Sequence, residues 1–398
     1  MVVRVYLKQA WNLMKQNPLF STLYIVGTGI SIVMTMVIAI VYYVRLAPVY
    51  PETNRMRTLV VKSAKMTNDE STHSSNISYA MLKDWFYSLE SAEVSTGVSG
   101  TSYARVTNDK EEIPTYARYT DENFFRVFPL VFLEGKPFTE ADRRSGIHNV
   151  VLTDSYAQQL FGTTKGVVGK NFLMDYTNVK VVGVVKSGSF LTPDSYAQVY
   201  LPYSCRDGYD DEGSHWALGG YRVYILMKES KSVTDVQDEV LELVRKFNVS
   251  DMGDGWKLDL VGQPELYWHS TFRLWSNVAV DWGRVIWMFV GIFMVLLFVP
   301  AFNLSGMISA RMERQLPDLG IRKAFGASRR RLLVQIIWEN LLLTGLGTLL
   351  GLVIAWIVLA LSGYEIFSLF EVFPKFPPKG VNLGMGIDMF FAPLIFVA

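Results

Sequence analysis

Three long apolar runs constrain this chain more than any other feature, because a helix needs about 20 such residues to cross a bilayer. No Asp, Glu, Lys, Arg or His occurs from Gln16 to Val44. At about 1.5 Å per residue, residues 19–44 are long enough to cross about 30 Å of hydrocarbon with some tilt. A cleavable signal peptide is the alternative, but it would have an apolar region of only about 7 to 15 residues followed by a small-residue cleavage site. Neither is seen, so we predict a first transmembrane helix.

Two further runs predict two more spans, and a fourth begins where the sequence ends. The second span is residues 284–302, where Pro300 is tolerated if neighbouring helices satisfy the carbonyl that it frees. The third is residues 332–361. The apolar stretch Met389–Ala398 is about half as long as a crossing requires. We therefore expect residues 389–398 to be the start of a fourth span that is truncated in the given sequence.

The distribution of Lys and Arg predicts the orientation of these spans. Basic residues outnumber acidic ones before the first span and between the second and third, so both flanks are predicted to be cytoplasmic by the positive-inside rule. Residues 1–18 have the pattern of an amphipathic helix on the inner surface, ended by Pro18. Residues 45–283 and 362–388 then lie outside. The flanking basic residues are Arg4, Lys8, Lys15, Arg311, Arg314, Arg322, Lys323, Arg329, Arg330 and Arg331.

The composition agrees with a membrane protein that carries one large polar domain. Half of the 398 residues are hydrophobic and the mean hydropathy is +0.20, yet 19% are charged. A net charge of +1 excludes a globally basic nucleic-acid-binding protein. The single cysteine, Cys205, cannot form a disulfide within the chain, so we expect a domain outside the membrane to be held together by its own core.

The polar region, residues 45–283, has the pattern of a mixed α/β domain without repeats. Apolar spacing predicts core-facing helices over Asn76–Glu90 and Ser232–Phe247, and Ser232 with Asp235 forms a predicted capping box at the second. Strands are predicted at Thr58–Lys62, Tyr116–Tyr119, Val150–Thr153, Val179–Val185, Val199–Leu201, Arg222–Met227 and Trp256–Leu260. The fold class is therefore α-helical membrane protein, with four transmembrane helices in the full protein, carrying a large mixed α/β extracytoplasmic domain.

The basic loop between the second and third spans, residues 303–331, has more structure than a topology signal requires. Gly326 and Ala327 are expected to end one helix, and Ser328 is a favourable N-cap for the next. Three arginines then stand at the positive end of a helix dipole, where cations are disfavoured. Lipid headgroups or an acidic groove on a partner protein would compensate them. Holding topology alone remains the simpler explanation for any one arginine.

Three stretches of the chain resemble one known family. The run DLGIRKAFGASRRRLLVQIIWENLLLTGLGTLLGL, from Asp318, resembles the signature of MacB- and FtsX-type ABC transporter permeases. Asp318 stands where that family usually has glutamate, and Pro317 before it is a departure. The segments NFFRVFPLVFLEGKPF (Asn123 to Phe138) and NVVLTDSYAQQLFG through VVGVVK and VYLPY (Asn149 to Tyr203) resemble the extracytoplasmic domain of the same family.

The resemblance implies a multi-pass permease of the bacterial inner membrane. Such a permease works as a homodimer, or paired with a related permease, and uses ATP hydrolysis to move its outer domains mechanically, in efflux with a periplasmic adaptor in some members. The sequence has no Walker A loop, since GTTKGVVGKN (Gly162 to Asn171) has the wrong glycine spacing and Asn171 after Lys170. We therefore expect a separate ABC ATPase subunit to hold ATP and magnesium, and no cofactor or catalytic residue in this chain.

Three groups of residues are candidates for function. The resemblance makes a short helix in the loop the candidate site for coupling to the ATPase; lying on lipid headgroups is its alternative. Gly345, Gly347 and Gly351 include a G-x-x-x-G pattern that predicts close helix packing, within or between subunits. Trp268, Trp275 and Trp282, seven apart, would stack on one helix as a stalk, or belong to an interfacial belt and the core. The coupling candidates are Asp318, Leu319, Gly320, Ile321, Arg322, Lys323, Ala324, Phe325 and Gly326.

Other classes of function have weaker support. The four histidines show no metal-ligand spacing, and no hydrolase or kinase signature occurs. The first two apolar runs lack the charges that usually line an ion path. The leading hypothesis is a permease subunit that drives export or release of a peptide, antibiotic or lipoprotein. The alternatives are a membrane-anchored sensor or scaffold and an FtsX-like regulator of a cell-wall hydrolase.

Overall fold

The computed structural model describes residues 11, 15, 18–100, 102–108, 111–189, 191–206, 208–210, 217–250, 255–326 and 328–368. It divides into two compact units. One is the α/β domain, Val44–Asp281, and the other contains the described residues before and after it. The predictions for residues 1–10, for most of 11–17 and for 369–398, including the start of the fourth span, lie outside the described residues.

The helices and strands are numbered in chain order. The helices are α1 Pro18–Leu46, α2 Tyr79–Asp84, α3 Phe124–Val127, α4 Glu140–Arg144, α5 Asp154–Phe161, α6 Val233–Val249, α7 Trp282–Ala324 and α8 Arg329–Ser368. Short 3₁₀ turns occupy Phe86–Ser88, Tyr203–Cys205 and His269–Phe272. The strands are β1 Thr58–Val61, β2 Ala64–Thr67, β3 Thr72–Ile77, β4 Ala92–Ser99, β5 Ser102–Asn108, β6 Glu111–Thr120, β7 Phe132–Gly135, β8 Asn149–Thr153, β9 Asn171–Met174, β10 Thr177–Val185, β11 Val199–Pro202, β12 Leu218–Gly219, β13 Tyr221–Met227, β14 Lys257–Asp259 and β15 Glu265–Leu266.

Three of the helices are long. Within α1 and α8, residues Ser21–Leu46 and Leu332–Ser362 are long and apolar enough to cross a membrane, and Trp282–Phe298 of α7 is a shorter apolar segment. The backbone of α8 leaves helical geometry at Ser362 (φ −121°, ψ 15°), although the helix resumes to Ser368. A helix of this composition is stable in lipid because each backbone amide finds its partner within the helix.

An eight-stranded sheet forms one half of the α/β domain. Its strand order is β14-β2-β3-β13-β1-β15, with β12 paired to β3 and β4 paired to β13. Helices α2 and α6 pack on one face of it, where Met81, Leu82, Val236 and Val240 are buried with the strands' apolar residues. The capping box at Ser232 and Asp235 is confirmed at the start of α6.

A seven-stranded sheet forms the other half. Its order is β7-β10-β8-β11-β6-β5-β9, and β9 also pairs with β10, so six of the strands form a closed ring. The pairs β8 with β10 and β6 with β11 are parallel. Closure leaves no free edge within the ring. Apolar residues at alternate positions of its strands form one core, to which Tyr156, Ala157 and Leu160 of α5 also contribute.

A third apolar cluster joins the two sheets. It contains Val60 of β1, Tyr224 of β13 and Val98 of β4 from the first sheet, together with Val151 of β8 and Tyr200 from the second. The short helix α3 lies in this cluster with its aromatic residues buried. Burial of a large aromatic side chain contributes roughly 1.5–3 kcal/mol, so this cluster stabilises the domain as one body.

One predicted element is shorter than expected. The sequence predicts a helix over Asn76–Glu90, but β3 extends to Ile77 and the helix itself is only Tyr79–Asp84, followed by the 3₁₀ turn Phe86–Ser88. Ser78 ends the strand and caps the helix, since its side chain accepts a hydrogen bond from the Met81 amide at 3.0 Å. The apolar residues that suggest one long helix are divided between the α-helix Tyr79–Asp84 and the 3₁₀ turn Phe86–Ser88.

Candidate functional site

The motif segment is the end of a long helix and not a separate short one. The prediction of an independent helix from Asp318 to Phe325 is wrong, because α7 continues from Trp282 through Pro300 and Pro317 to Ala324. A proline leaves the carbonyl four residues earlier without its usual amide donor, yet neither proline ends the helix. Gly326 ends the segment, as predicted, with a φ of +85° that favours glycine. Ser328 precedes α8 and its carbonyl accepts from the Leu332 amide.

Within the motif, the described side chains are exposed. Ile321 and Phe325 lie four residues apart, on one face of the helix, and are 56% and 89% exposed. Gly320, Lys323, Ala324 and Gly326 are exposed as well. The side chains of Asp318, Leu319 and Arg322 lie outside the described part of the chain. An exposed apolar pair beside a lysine is a surface suited to a partner protein.

The glycine pattern of α8 divides into two faces. An added methyl group at Gly347 would lie 2.7 Å from Cβ of Thr28, and one at Gly351 would lie 2.6 Å from the carbonyl oxygen of Gly29. These glycines therefore allow α8 and α1 to approach closely within one chain. Beside them, the Tyr24 hydroxyl lies 3.0 Å from Oγ1 of Thr344.

Gly345 does not share this packing against α1. A methyl group added there would have no neighbour within 4 Å among the described residues. Gly345 precedes Gly347 by two residues, and two residues turn a helix by about 200°, so its face points away from α1.

The three tryptophans do not stack on one helix. Trp268 precedes the 3₁₀ turn His269–Phe272, which ends at Arg273 in an extended conformation. Trp275 lies in an irregular segment and is 67% exposed, and Trp282 is the first residue of α7. The heptad spacing is therefore not expressed as a helical stalk, since residues 273–281 are not helical.

The structure shows instead a largely buried polar network where α1 enters the α/β domain. We call Glu52, Arg55, Lys62, Asp194, Ser195 and Arg222 the junction network. Arg55 donates from Nη1 to the carbonyl oxygens of Val44 (2.5 Å) and Ala47 (2.9 Å), which caps the last turn of α1. Its Nε and Nη2 donate to Glu52 Oε2 at 2.8 and 2.5 Å.

The same network continues into both sheets. Ser195 Oγ donates to Glu52 Oε1 at 2.8 Å. Asp194 accepts from Lys62 Nζ at 3.2 Å and from Arg222 Nη1 at 3.0 Å. Burial by itself would raise the pKa of Asp194, but the positive charges of Lys62, Arg222 and Arg118 outweigh it and hold the pKa well below its usual range. Asp194 is therefore an anion at every physiological pH.

A further buried carboxylate joins the two sheets at another place. Asp121, which follows β6, accepts from the Tyr87 hydroxyl (2.6 Å), the Gly97 amide (2.8 Å), Thr96 Oγ1 (2.7 Å) and the Asn123 amide (2.9 Å). Burial raises the pKa of Asp121 to about 6, against the effect of these donors.

Sequence reasoning missed Asp121 and Asp194, because most of their partners are far away in the chain. The spacing of Glu52 and Arg55, three residues apart in a segment with Pro51, was the one local signal for the junction network. Among the described residues, no three His, Cys, Asp or Glu side chains are grouped to hold a metal ion.

Comparison with known proteins assigns the family. The MacB-like periplasmic core domain matches residues 20–243, and the FtsX-like permease C-terminal domain matches residues 277–398. The first match alone covers more than half of the chain. The chain belongs to the MacB/FtsX-type family of ABC permeases. The predicted fold class, an α-helical membrane permease with a large mixed α/β extracytoplasmic domain, is confirmed.

Individual relatives are distant. The macrolide export ATP-binding/permease proteins MacB of Escherichia coli O157:H7 and of Shigella flexneri are each 22% identical over 268 residues, which is 66% of this chain. The matched region spans only 39% of the length of these relatives. Two solved structures are similar at 16% identity and a TM-score of 0.35, each over 50% of this chain. They are the periplasmic region of MacB from Actinobacillus actinomycetemcomitans, 88% covered, and the extracellular domain of the noncanonic ABC-type transporter YknZ from Gram-positive bacteria, 99% covered.

Proposed function

We propose that this MacB/FtsX-type permease couples ATP hydrolysis by a separate ATPase subunit to mechanical motion of its α/β domain. The motion drives export or release of a substrate outside the membrane, of the class of peptides, antibiotics or lipoproteins. ATP and magnesium are held by the partner, and the permease works as a homodimer or with a related permease, with a periplasmic adaptor as a further partner in efflux.

The observation that carries this proposal is the exposed end of α7. A 43-residue helix is about 65 Å long, roughly twice the thickness of the hydrocarbon core. Its apolar part is Trp282–Phe298, so the motif segment lies well beyond that part. Ile321 and Phe325 expose apolar surface there, next to the basic residues of the loop. A helix end of this kind fits a groove in a cytosolic ATPase subunit.

The proposed topology follows from charge. The N-terminus and the α7–α8 connection are placed in the cytoplasm of a bacterial inner membrane because both are rich in Lys and Arg. The α/β domain, Val44–Asp281, is then extracytoplasmic. This placement puts the motif segment on the side where ATP is available.

The test is co-purification of the full-length permease with candidate ABC ATPases in detergent, followed by ATPase assays. The variant Ile321→Asp with Phe325→Asp places two charges on the exposed face and is expected to release the ATPase. The matched control is Leu241→Asp with Val249→Asp, which alters two exposed apolar residues of α6, 65% and 75% exposed, in the α/β domain. The control is expected to keep the ATPase bound.

Binding that both variants leave intact would refute the coupling role of the motif segment. If the purified permease binds no ABC ATPase, the sensor or scaffold hypothesis takes its place, and the arginines of the loop serve topology alone. An FtsX-like regulator would bind the ATPase in the same way, and it is distinguished by release of a cell-wall hydrolase activity in place of a transported substrate.

A further inference from the structure

The pentapeptide DSYAQ occurs twice in this chain, at Asp154–Gln158 and at Asp194–Gln198, with two different structures. The first copy opens α5 after Thr153. The second copy is not helical and leads into β11. The residues that follow differ, since Gln159-Leu160-Phe161 continue a helix that Gly162 ends at φ +71°, whereas Val199-Tyr200-Leu201 form a strand. One sequence thus serves two structural roles.

The second copy connects three elements of the α/β domain. Ser195 contacts Glu52, which holds Arg55 at the end of α1. Asp194 contacts Lys62, which follows β1, and Arg222 of β13, and these two strands are paired in the first sheet. The carbonyl oxygens of Pro193 and Tyr196 accept from Arg118 Nη2 of β6, in the second sheet, at 2.6 and 3.1 Å.

Most of these contacts are shielded from water, although the Arg222 side chain is 39% exposed. Ser195, Asp194 and Arg118 are all buried, as are Glu52 and Arg55. Removal of one partner from a buried ion pair is strongly destabilising, because the other charge is left uncompensated. Arg55 and Lys62 also lie over the ring of Tyr267, at 5.3 and 5.8 Å from its centroid. Moving any one of these residues away from its partners is therefore energetically costly.

The first copy makes a purely local connection. Asp154 Oδ1 accepts from the Ser187 amide at 2.9 Å and from the Ser187 hydroxyl, and Ser155 Oγ lies 2.7 Å from Ser187 Oγ. Ser187 follows β10, so this copy joins two strand ends of the second sheet only. It offers a control of identical sequence.

We propose that Thr192–Tyr196 is a clasp whose Asp194 and Ser195 position the α/β domain for coupling, by fastening the end of α1 to both sheets. This inference rests on the proposed function, since it states how displacement of α1 reaches the domain. Displacement of the last turn of α1 pulls on Arg55 and Glu52. Ser195 passes it to the second sheet, and Asp194 passes it to the first. Residues 47–57 therefore transmit the displacement of α1, whereas a flexible linker would not.

The first experiment measures hydrogen exchange of the wild-type permease in nanodiscs. The Thr192 amide donates to the Ser189 carbonyl oxygen, just before the clasp, and the Tyr196 amide donates to the Thr192 carbonyl oxygen within it. If the clasp holds, these amides exchange as slowly as those of the central strand β13, although they lie outside helices and strands. Exchange as fast as in an exposed loop overturns the proposal, with no variant needed.

The second experiment compares exchange with and without ATP and vanadate in the complex with the ATPase. The clasp variant is Asp194→Asn with Ser195→Ala, and the control is Asp154→Asn with Ser155→Ala. We expect wild type and control to show a nucleotide-dependent change in both sheets, and the clasp variant to lose it while it still binds the ATPase. A clasp variant with the full nucleotide-dependent change overturns the proposal.

The two proposals fail in different ways. If no ATPase binds the wild type, the proposed function is rejected, and the exchange rate of the clasp amides still decides whether the clasp exists. If the clasp variant does not fold, the wild-type exchange rate again decides. If wild type shows a nucleotide-dependent change in β1 and β13 but the clasp amides exchange rapidly, the proposed function stands and the clasp is rejected.

Discussion

The packing of α8 on α1 predicts opposite effects for three chemically identical substitutions. Gly347→Ala and Gly351→Ala place a methyl group in the interface, whereas Gly345→Ala, on the same helix, places it in open space. The three variants add the same atoms to neighbouring turns. Any difference among them must therefore arise from the contact with α1.

The expected magnitudes follow from the distances. Methyl groups at Gly347 and Gly351 would lie 2.7 Å from Thr28 Cβ and 2.6 Å from Gly29 O, where a real contact needs about 3.5 Å or more. One neighbour of Gly351 is backbone, which cannot rotate away, so α1 must move outward by roughly 1 Å. Overpacking of this kind costs about 1–3 kcal/mol. The higher helix propensity of Ala than of Gly offsets this cost by up to about 1 kcal/mol. For Gly345→Ala, this favourable term is the only one expected.

The assay is reversible unfolding of the full-length permease in mixed micelles of increasing SDS content, followed by far-UV circular dichroism. Gly345→Ala is expected to be neutral or to stabilise by up to about 1 kcal/mol. Gly351→Ala is expected to lower the free energy of unfolding by about 1–2 kcal/mol, a change of about five- to thirtyfold in the equilibrium constant. Gly347→Ala is expected to have a somewhat smaller effect, because its nearest backbone neighbour, the Ile25 carbonyl oxygen, lies at 3.0 Å, whereas that of Gly351, the Gly29 carbonyl oxygen, lies at 2.6 Å.

Equal stabilities of the three variants would refute the reasoning, since they would mean that α1 and α8 do not touch at these glycines. The reverse order, with Gly345→Ala the most destabilised, would place the interface on the other face of α8. In that case the glycines would serve contact with a second subunit or with a span outside the described residues.

Three further predictions concern the α/β domain. Because the pKa of Asp121 is raised to about 6, the unfolded chain loses this proton near pH 4 and the folded one near pH 6, so stability falls by up to about 3 kcal/mol across that window as pH rises; Asp121→Asn should flatten thermal stability between pH 4 and 6, Asp69→Asn should not, and an unchanged slope contradicts the assignment. Arg55→Met leaves Glu52 buried without its cation and should cost about 3–5 kcal/mol in thermal unfolding, most of it recovered by adding Glu52→Gln; no recovery would mean that packing, and not charge, is responsible. Ser232→Ala removes the N-cap of α6 and should cost about 1 kcal/mol by the same measurement, and a loss well above 2 kcal/mol would indicate a tertiary role.

Much of the fold could be predicted because it depends on local patterns. The strand predicted at Arg222–Met227 is β13 (Tyr221–Met227), which combines β-branched and aromatic residues, and that at Val179–Val185 is β10, which is rich in valine. The helix predicted at Ser232–Phe247 is α6, fixed by its capping box. These segments bury one face or both, so hydrophobic period and local propensity agree.

The two copies of DSYAQ show why the rest could not be predicted. Residues 154–158 and 194–198 have the same side chains, yet one is a helix and the other is not. Local propensity is identical, so the difference comes from the flanking residues and from partners distant in sequence, such as Glu52 and Arg222 for the second copy. Propensity is a weak prior that tertiary contacts override.

The candidate sites could likewise be predicted only where their sequence signal is local. The loop motif and the G-x-x-x-G pattern are local, so Ile321, Phe325 and the close-packing glycines of α8 could be named from sequence. The continuity of α7 through Pro317 could not, because a proline in a helix depends on what satisfies the freed carbonyl. The tryptophan spacing was misleading because seven-residue periodicity has meaning only on a helix, and residues 273–281 are not helical.

The two ends of the α/β domain are connected to the long helices in different ways. At the entry, α1 remains helical to Leu46 and Arg55 caps its last turn, so the helix ends inside a buried network. At the exit, Arg273 is buried against Glu265, but residues 274–281 then lead to α7 without helix or strand, and Trp275 is exposed. A stiff connection passes displacement on, whereas an irregular one absorbs part of it by changing backbone dihedrals. We therefore expect the backbone of residues 192–196, which contact Glu52 beside the end of α1, to be held more firmly than that of residues 274–281. Hydrogen exchange of the wild-type permease tests this difference. The amides of residues 274–281 should exchange faster than those of residues 192–196, and equal exchange rates would contradict it.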